Sequence, residues 1–363
     1  MTVLLVGCSH RPAAAPPRST TPSHPTTSSS LPQPGAETST SLGPAWPTRT
    51  IVSSGDDEDL APTSQALYWL NTSTTSSPDT GVPGLYELKT ARQVEGAQVS
   101  GQISQEALTV TGGWVWLAFA QATTVVVEQL DPDGLARHAV HHLIETGSGQ
   151  VQYPPAPVVT ATAGGPLWVG AGSDLWALNP VTGEVEVHTS TTGQAAWMST
   201  DPAGAFLYVV SSRSNSGGEL VTQLDAHSGR LLHSSNQQFA TGAGTAAATA
   251  GGVWLSYRTG MAGAASELSS SNLSDVLPPQ NGFGTLYQMM GVASGVSEGV
   301  LWLSSEPSLT CADPTSGQAR ASEAVANEII NDMVAADHVL YASPPSGGIV
   351  AIAPPAACWS TTG

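Results

Sequence analysis

An aromatic residue set inside an aliphatic stretch recurs seven times along this chain, and that recurrence limits the fold more than any other feature. The stretches are ALYWL at Tyr68, GGWVWLAF at Trp116, GGPLWVGA at Trp168, GAFLYVVS at Tyr208, GGVWLSY at Trp254, GVLWLSS at Trp302 and HVLYASP at Tyr341. Neighbouring aromatics lie 39 to 52 residues apart, with a mean near 45. A unit of that length holds four short strands, too few to bury both faces of its own sheet, so each unit needs neighbours to pack against.

A second landmark follows most of these stretches: QLDPDG at Asp131, ALNPVTG at Asn179, QLDAHSG at Asp225 and CADPTSG at Asp313. Asp or Asn, then Pro or a small residue, then Gly is hairpin chemistry, in which the side chain caps the turn and Gly takes the positive φ. The fourth unit shows the whole pattern: AAWMST as inner strand, AFLYVVSS second, ELVTQLDA third and RLLHSS outermost. The expected fold is therefore all-β, a seven-bladed β-propeller over residues 49–363, with the aromatic of each second strand filling the space between blades. TRTIVSS at 48–54 is expected to pair with the last blade and close the ring. IINDMVAADHV at 329–339 reads as the inner strand of blade seven rather than a helix.

The repeat, GGxLWV…LDPxTGxV in outline, resembles the bacterial seven-bladed propellers of the YVTN, quinoprotein-like and streptogramin-lyase-like group. The resemblance covers roughly residues 50–363 and speaks for fold rather than function, since sites are grafted onto such rings independently. Glu186-Val187-His188 resembles the Glu-x-His of magnesium-dependent streptogramin lyases, but it follows the NPVTG turn and so falls on an outer strand. The Trp that quinoprotein docking repeats place after the Thr-Gly turn has no counterpart in TGEVEVH or SGQARAS. The ten tryptophans are read as blade packing, and no cofactor is expected.

The first 48 residues follow another rule. Leu5-Val6-Gly7-Cys8 resembles a bacterial lipobox, whose cysteine is lipidated and becomes the mature N-terminus. Residues 1–8 are read as a truncated signal segment that a start further upstream would complete. Residues 9–48 are rich in Pro, Ser and Thr and nearly free of aliphatics, so they cannot offset their ordering entropy and are expected to be a disordered tether. Together they imply a lipid-anchored protein on the extracytoplasmic face of a membrane. With Cys8 set aside in that oxidising setting, Cys311 and Cys358 remain as one pair and are expected to form a disulfide.

Net charge is −18, with 28 acidic and 10 basic residues, which repels phosphate backbones and excludes nucleic acid as a partner class. No P-loop, HExxH or G-x-S-x-G motif occurs, and no metal site is expected. His138, His141 and His142 belong to an outer edge; Asp56 to Asp59 are read as an exposed acidic linker. The remaining candidates are loop aromatics, Tyr153 in GSGQVQYPPAP and Phe283 and Tyr287 in PPQNGFGTLYQMM, placed to meet a partner or ligand at the rim. The function read from these features is a monomeric binding or scaffold propeller for a protein or small ligand, without catalysis. The rival is a metal-dependent lyase or lactonase. Three or more Asp, Glu or His side chains converging at one channel mouth would favour the rival; a channel lined by Ala, Ser and Thr would favour the binder.

Overall fold

The computed structural model describes residues 46–53, 57–73, 78–144, 155–162, 164–212, 219–237, 243–259, 262–281, 293–297, 299–305, 308–324, 330, 332–344 and 347–359. They form seven antiparallel sheets arranged as a ring of blades. Each of the seven repeat aromatics lies on the second strand of its sheet, from Ala66–Ser73 in blade one to Val339–Ser343 in blade seven. Blade four runs as the repeat predicts: Gln194–Thr200, Phe206–Ser212, Glu219–Asp225 and Leu231–Gln237, hydrogen-bonded in that order. Blade one adds a short strand, Val99–Gly101, beside its third.

The ring closes through its first strand. Thr48–Val52 pairs antiparallel with Ile349–Ile352, with Thr48 opposite Ile352 and Thr50 opposite Val350. Blade seven thus takes its outer strand from the start of the domain and its inner one, Asp332–Ala336, from the end. This pairing removes a free edge and makes closure depend on residues some 300 positions apart.

The apolar core is divided among the interfaces. Buried clusters straddle each pair of adjacent blades: Tyr68 and Leu85 with Leu117 and Phe119 between blades one and two, Trp168 and Leu175 with Leu207 and Met198 between three and four. Trp116, Trp168, Trp254, Trp302 and Tyr208 are almost fully buried. Burying such a ring stabilises by several kcal/mol each, roughly 25 cal/mol per Å² over 150–250 Å².

The third-to-outer turns explain the second landmark. Oδ1 of Asp131, Asn179, Asp225 and Asp313 each accepts two backbone N–H groups, from the residues two and three further on. The residue four positions after the turn's first takes the positive φ: Gly183 at 71°, Gly229 at 68° and Gly317 at 66°. QLDPDG departs from expectation, because Leu135 at 56°, not Gly134, occupies that place. The corresponding residues are Ala91 in blade one and Leu273 in blade five.

Adjacent blades are also bracketed by hydrogen bonds to these turns. Tyr68 Oη donates to Pro132 O at 3.1 Å, Trp168 Nε1 to Ala226 O at 2.9 Å and Trp254 Nε1 to Pro314 O at 2.8 Å. In blades two and four a glutamine on the third strand does the same: Gln129 Nε2 donates to Val181 O at 2.9 Å and Gln223 Nε2 to Ser270 O at 2.8 Å.

Candidate functional site

The central channel is lined by the inner strands, and one side of it is acidic. Asp59, Glu106 and Asp332 come from blades one, two and seven and line a narrow cavity of about 230 Å³. Asp59 is 5% exposed, which corrects its reading as part of an exposed linker; Asp56 lies outside the described residues. Residues 57–62 form the inner strand of blade one, and Asp59 is turned into the channel wall. Its Oδ2 accepts from Leu108 N of blade two at 2.5 Å. Asp332 repeats the arrangement one blade earlier: Oδ2 accepts from Leu60 N of blade one at 2.7 Å, and Oδ1 from Met333 N at 2.7 Å.

Crowding three carboxyls in one wall perturbs all of them. Burial pushes Asp332 up to about 6. Burial first, then the charge of Asp332, holds Asp59 well above the usual carboxylate range; burial and the charges of Asp59 and Asp332 do so for Glu106. Desolvation and like charge both disfavour ionisation. The rest of this cavity is neutral, with Thr109, Val159, Thr160, Met198, Ser199 and Ala247 on its wall. The three acids converge inside the channel and not at the wide mouth, where the sequence criterion for the rival placed them, and small uncharged residues line the other side. Among the described residues, no group of three or more His, Cys, Asp or Glu is arranged to hold a metal ion.

The channel widens at the face that carries the first turn of each blade. A cavity of about 690 Å³ lies there, between the inner-strand ends of blades two to five and turns of blade six. It shares Val110 and Ser199 with the acidic cavity. Its walls carry Thr111, Thr162, Thr200, Asp201, Thr249 and Thr315 among small residues.

The other sequence candidates stand apart from the channel. His138, His141 and His142 lie on the outer strand Arg137–Ile144. His138 stacks on Trp114 with ring centres 4.3 Å apart, and His141 packs against Trp116 at 5.8 Å. Glu186 and His188 lie on the outer strand Val185–Ser190, where His188 stacks on Trp176 and its Nε2 sits 2.8 Å from Asp174 Oδ1. Cys311, on the third strand of blade six, is bonded to Cys358 on a short helix, Ala356–Trp359, with Cα atoms 5.6 Å apart. Cys8, Tyr153, Phe283 and Tyr287 lie outside the described residues. Among the described residues no helix is long and apolar enough to cross a membrane.

The acidic side of the channel was missed from sequence although a signal was present. Asp59 and Asp332 both stand nine residues before the aromatic of their unit, as does Ser199, whose Oγ accepts from Ala248 N of the next blade at 3.0 Å.

No protein-family model matches the sequence, and no curated protein matches it. Solved structures do resemble it in fold. The Dos1 propeller is 10% identical with a TM-score of 0.61, covering 85% of this chain and 94% of that one. The WD40 domain of Toxoplasma gondii coronin is 10% identical with a TM-score of 0.57, covering 86% and 88%. Kuenenia stuttgartiensis hydrazine synthase is 11% identical with a TM-score of 0.59, covering 84% and 97%. At such identities the likeness establishes architecture alone, and the architecture is that of a seven-bladed β-propeller.

Proposed function

We propose that this chain is an extracytoplasmic, lipid-tethered propeller that binds a protein partner or small ligand without catalysis. The observation that carries the reading is the bond between Cys311 and Cys358, both fully buried. Structural disulfides persist in oxidising compartments and are rare in the cytosol. Cys8 in its lipobox-like setting and the Pro-, Ser- and Thr-rich segment 9–48 then read as an anchor and a spacer. A propeller suits a binding or scaffold role, and the acidic channel does not by itself argue for catalysis. Asp59 and Asp332 are engaged in holding the backbone of the next blade, the work of structural carboxylates.

The test is fractionation of the protein expressed with its upstream codons in a bacterial host. The parent should partition into detergent, and Cys8→Ala should move to the soluble fraction. Denatured, unreduced protein carrying Cys8→Ala should show no free thiol. Unchanged partitioning would remove the lipid anchor, and two free thiols would remove the oxidising compartment.

A further inference from the structure

We propose that the inner seam joining blades seven, one and two is a proton-controlled joint, tight while its carboxyls hold their protons and loosened when they ionise. The device belongs to the ring itself and does not depend on the compartment or on any ligand.

The joint is built from one repeated position, nine residues before the aromatic of the unit. Blade four places Ser199 there, and its Oγ accepts from Ala248 N of blade five at 3.0 Å. Blades seven and one place Asp332 and Asp59 there, and each carboxyl reaches the next blade in the same way. Asp332 Oδ2 accepts from Leu60 N at 2.7 Å, and Asp59 Oδ2 from Leu108 N at 2.5 Å. One contact between inner strands is thus made in two chemistries. The hydroxyl keeps its state across the working pH range, and the carboxyls do not. Leu60 follows Asp59 directly, so the two carboxyl contacts run in series across three blades. They lie where the ring closes, because Thr48–Val52 completes blade seven and the chain then enters Asp57–Pro62 of blade one.

The surroundings offer the ionised forms no countercharge. Glu106 lines the same narrow cavity, whose described lining includes no Lys, Arg or His. The flanking inner strands, Ala293–Ser297 of blade six and Leu108–Thr111 of blade two, carry no ionisable residue. On the second strands behind the joint the ionisable residues are Tyr68 and Tyr341, and burial raises both phenols, which therefore stay neutral. Asp57 and Glu58, on the strand of Asp59, are acidic as well. Backbone N–H groups favour the ionised aspartates, but burial outweighs them. The closed seam therefore binds protons more tightly than an opened one would. Its strength is full at acid pH and falls as pH rises, from the ordinary 3.8 to about 6 for Asp332 and further for Asp59 and Glu106. The three titrate together rather than one by one.

The experiment is hydrogen–deuterium exchange of the full chain, read by peptide mass spectrometry from about pH 4.5 to about 6.5 and corrected for intrinsic exchange. The seam at Ala248 serves as the neutral control. Protection at Leu60 and Leu108 relative to Ala248 should fall at least about tenfold across that range. Asp332→Ser, which installs the blade-four hydroxyl, should flatten the response at Leu60. Glu106→Gln, which removes a charge and no backbone acceptor, should diminish the response at both amides. Protection that changes in parallel at Leu60, Leu108 and Ala248 overturns the joint, since the whole ring would then respond as one. A fall at Leu60 and Leu108 that persists undiminished in both variants overturns the assignment to these carboxyls.

Discussion

Replacing Asp332 by Asn should change the stability of the ring by an amount that depends on pH. Asn has one acceptor oxygen where the carboxylate has two, so either Leu60 N or Met333 N loses its partner. That loss costs about 1–3 kcal/mol and is the same at every pH. The charge contributes differently. Burial raises the Asp332 carboxyl from 3.8 to about 6 in the folded protein. Between those values the folded state binds the proton more tightly than the unfolded chain, so stability falls as pH rises through the window and is constant above it. A gap of about two pH units at about 1.36 kcal/mol each gives about 3 kcal/mol, an upper figure because Asp332 is only half-buried. Asp59 and Glu106 add in the same direction, because removing the Asp332 charge lowers both. Asp313, Asp225 and Glu87 act in the opposite sense, since their hydrogen bonds hold them low. The quantity to measure is therefore the stability difference between variant and parent, from urea unfolding between about pH 3.5 and about 8. It should move in favour of the variant by about 3 kcal/mol as pH rises. A difference that stays constant across the range would show that Asp332 does not titrate in the channel as described.

Gly183→Ala should cost at least about 2 kcal/mol in urea unfolding. Its Cβ would lie 2.1 Å from His141 Nε2 at a φ of +71°, and a variant as stable as the parent would refute that packing. Trp254→Phe should cost roughly 1 kcal/mol more than Trp302→Phe, because Trp254 Nε1 holds Pro314 O whereas Trp302 Nε1 has no partner; equal losses by thermal melting would deny the bracket its role. Ala91→Gly should raise stability by about 1 kcal/mol, since Ala91 is exposed at φ 58°; a lower melting temperature would contradict the strain.

The architecture was legible because its determinants are local and repeated. An aromatic among aliphatics reports a buried second strand, and Asp or Asn before a Gly reports the turn. The same cues failed where position rather than composition decides. DDEDL reads as a solvated run because acidic residues in sequence carry no hint of the partners a ring brings to them. In space, Asp59 meets Leu108 N and the carboxyls of Glu106 and Asp332. The glutamine brackets were equally silent, since Gln129 and Gln223 stand in strands whose apolar neighbours dominate the pattern. Leu135 misled in the other direction: the nearby Gly134 looked like the residue for positive φ, but the fixed four-residue offset assigns it to Leu135, whose side chain is buried between blades one and two.

That bracket scheme also explains why the cysteines sit where they do. From blade one through blade five each blade presents a donor to the third-to-outer turn of the next. Blade seven has no such turn, because its outer strand is Thr48–Val52 and the chain after Ile352 runs instead into the helix Ala356–Trp359. Trp302 Nε1, at the seam between blades six and seven, is left without an acceptor. Closing the ring with the first strand therefore removes one inter-blade bracket. The seam is held by other means: Trp359 packs on Trp302 at 5.3 Å and stacks on His338 at 4.9 Å, and Arg320 Nη1 donates to Cys358 O at 2.9 Å. Trp46 N donates to Glu323 Oε1 at 2.6 Å from the other terminus. The bond between Cys311 and Cys358 ties the helix to blade six at this place. It closes a loop with a separation of 47 residues, for which chain entropy gives about 4 kcal/mol at most. The bond thus reinforces an interface at which Trp302 Nε1 finds no acceptor, and reduction should loosen that seam.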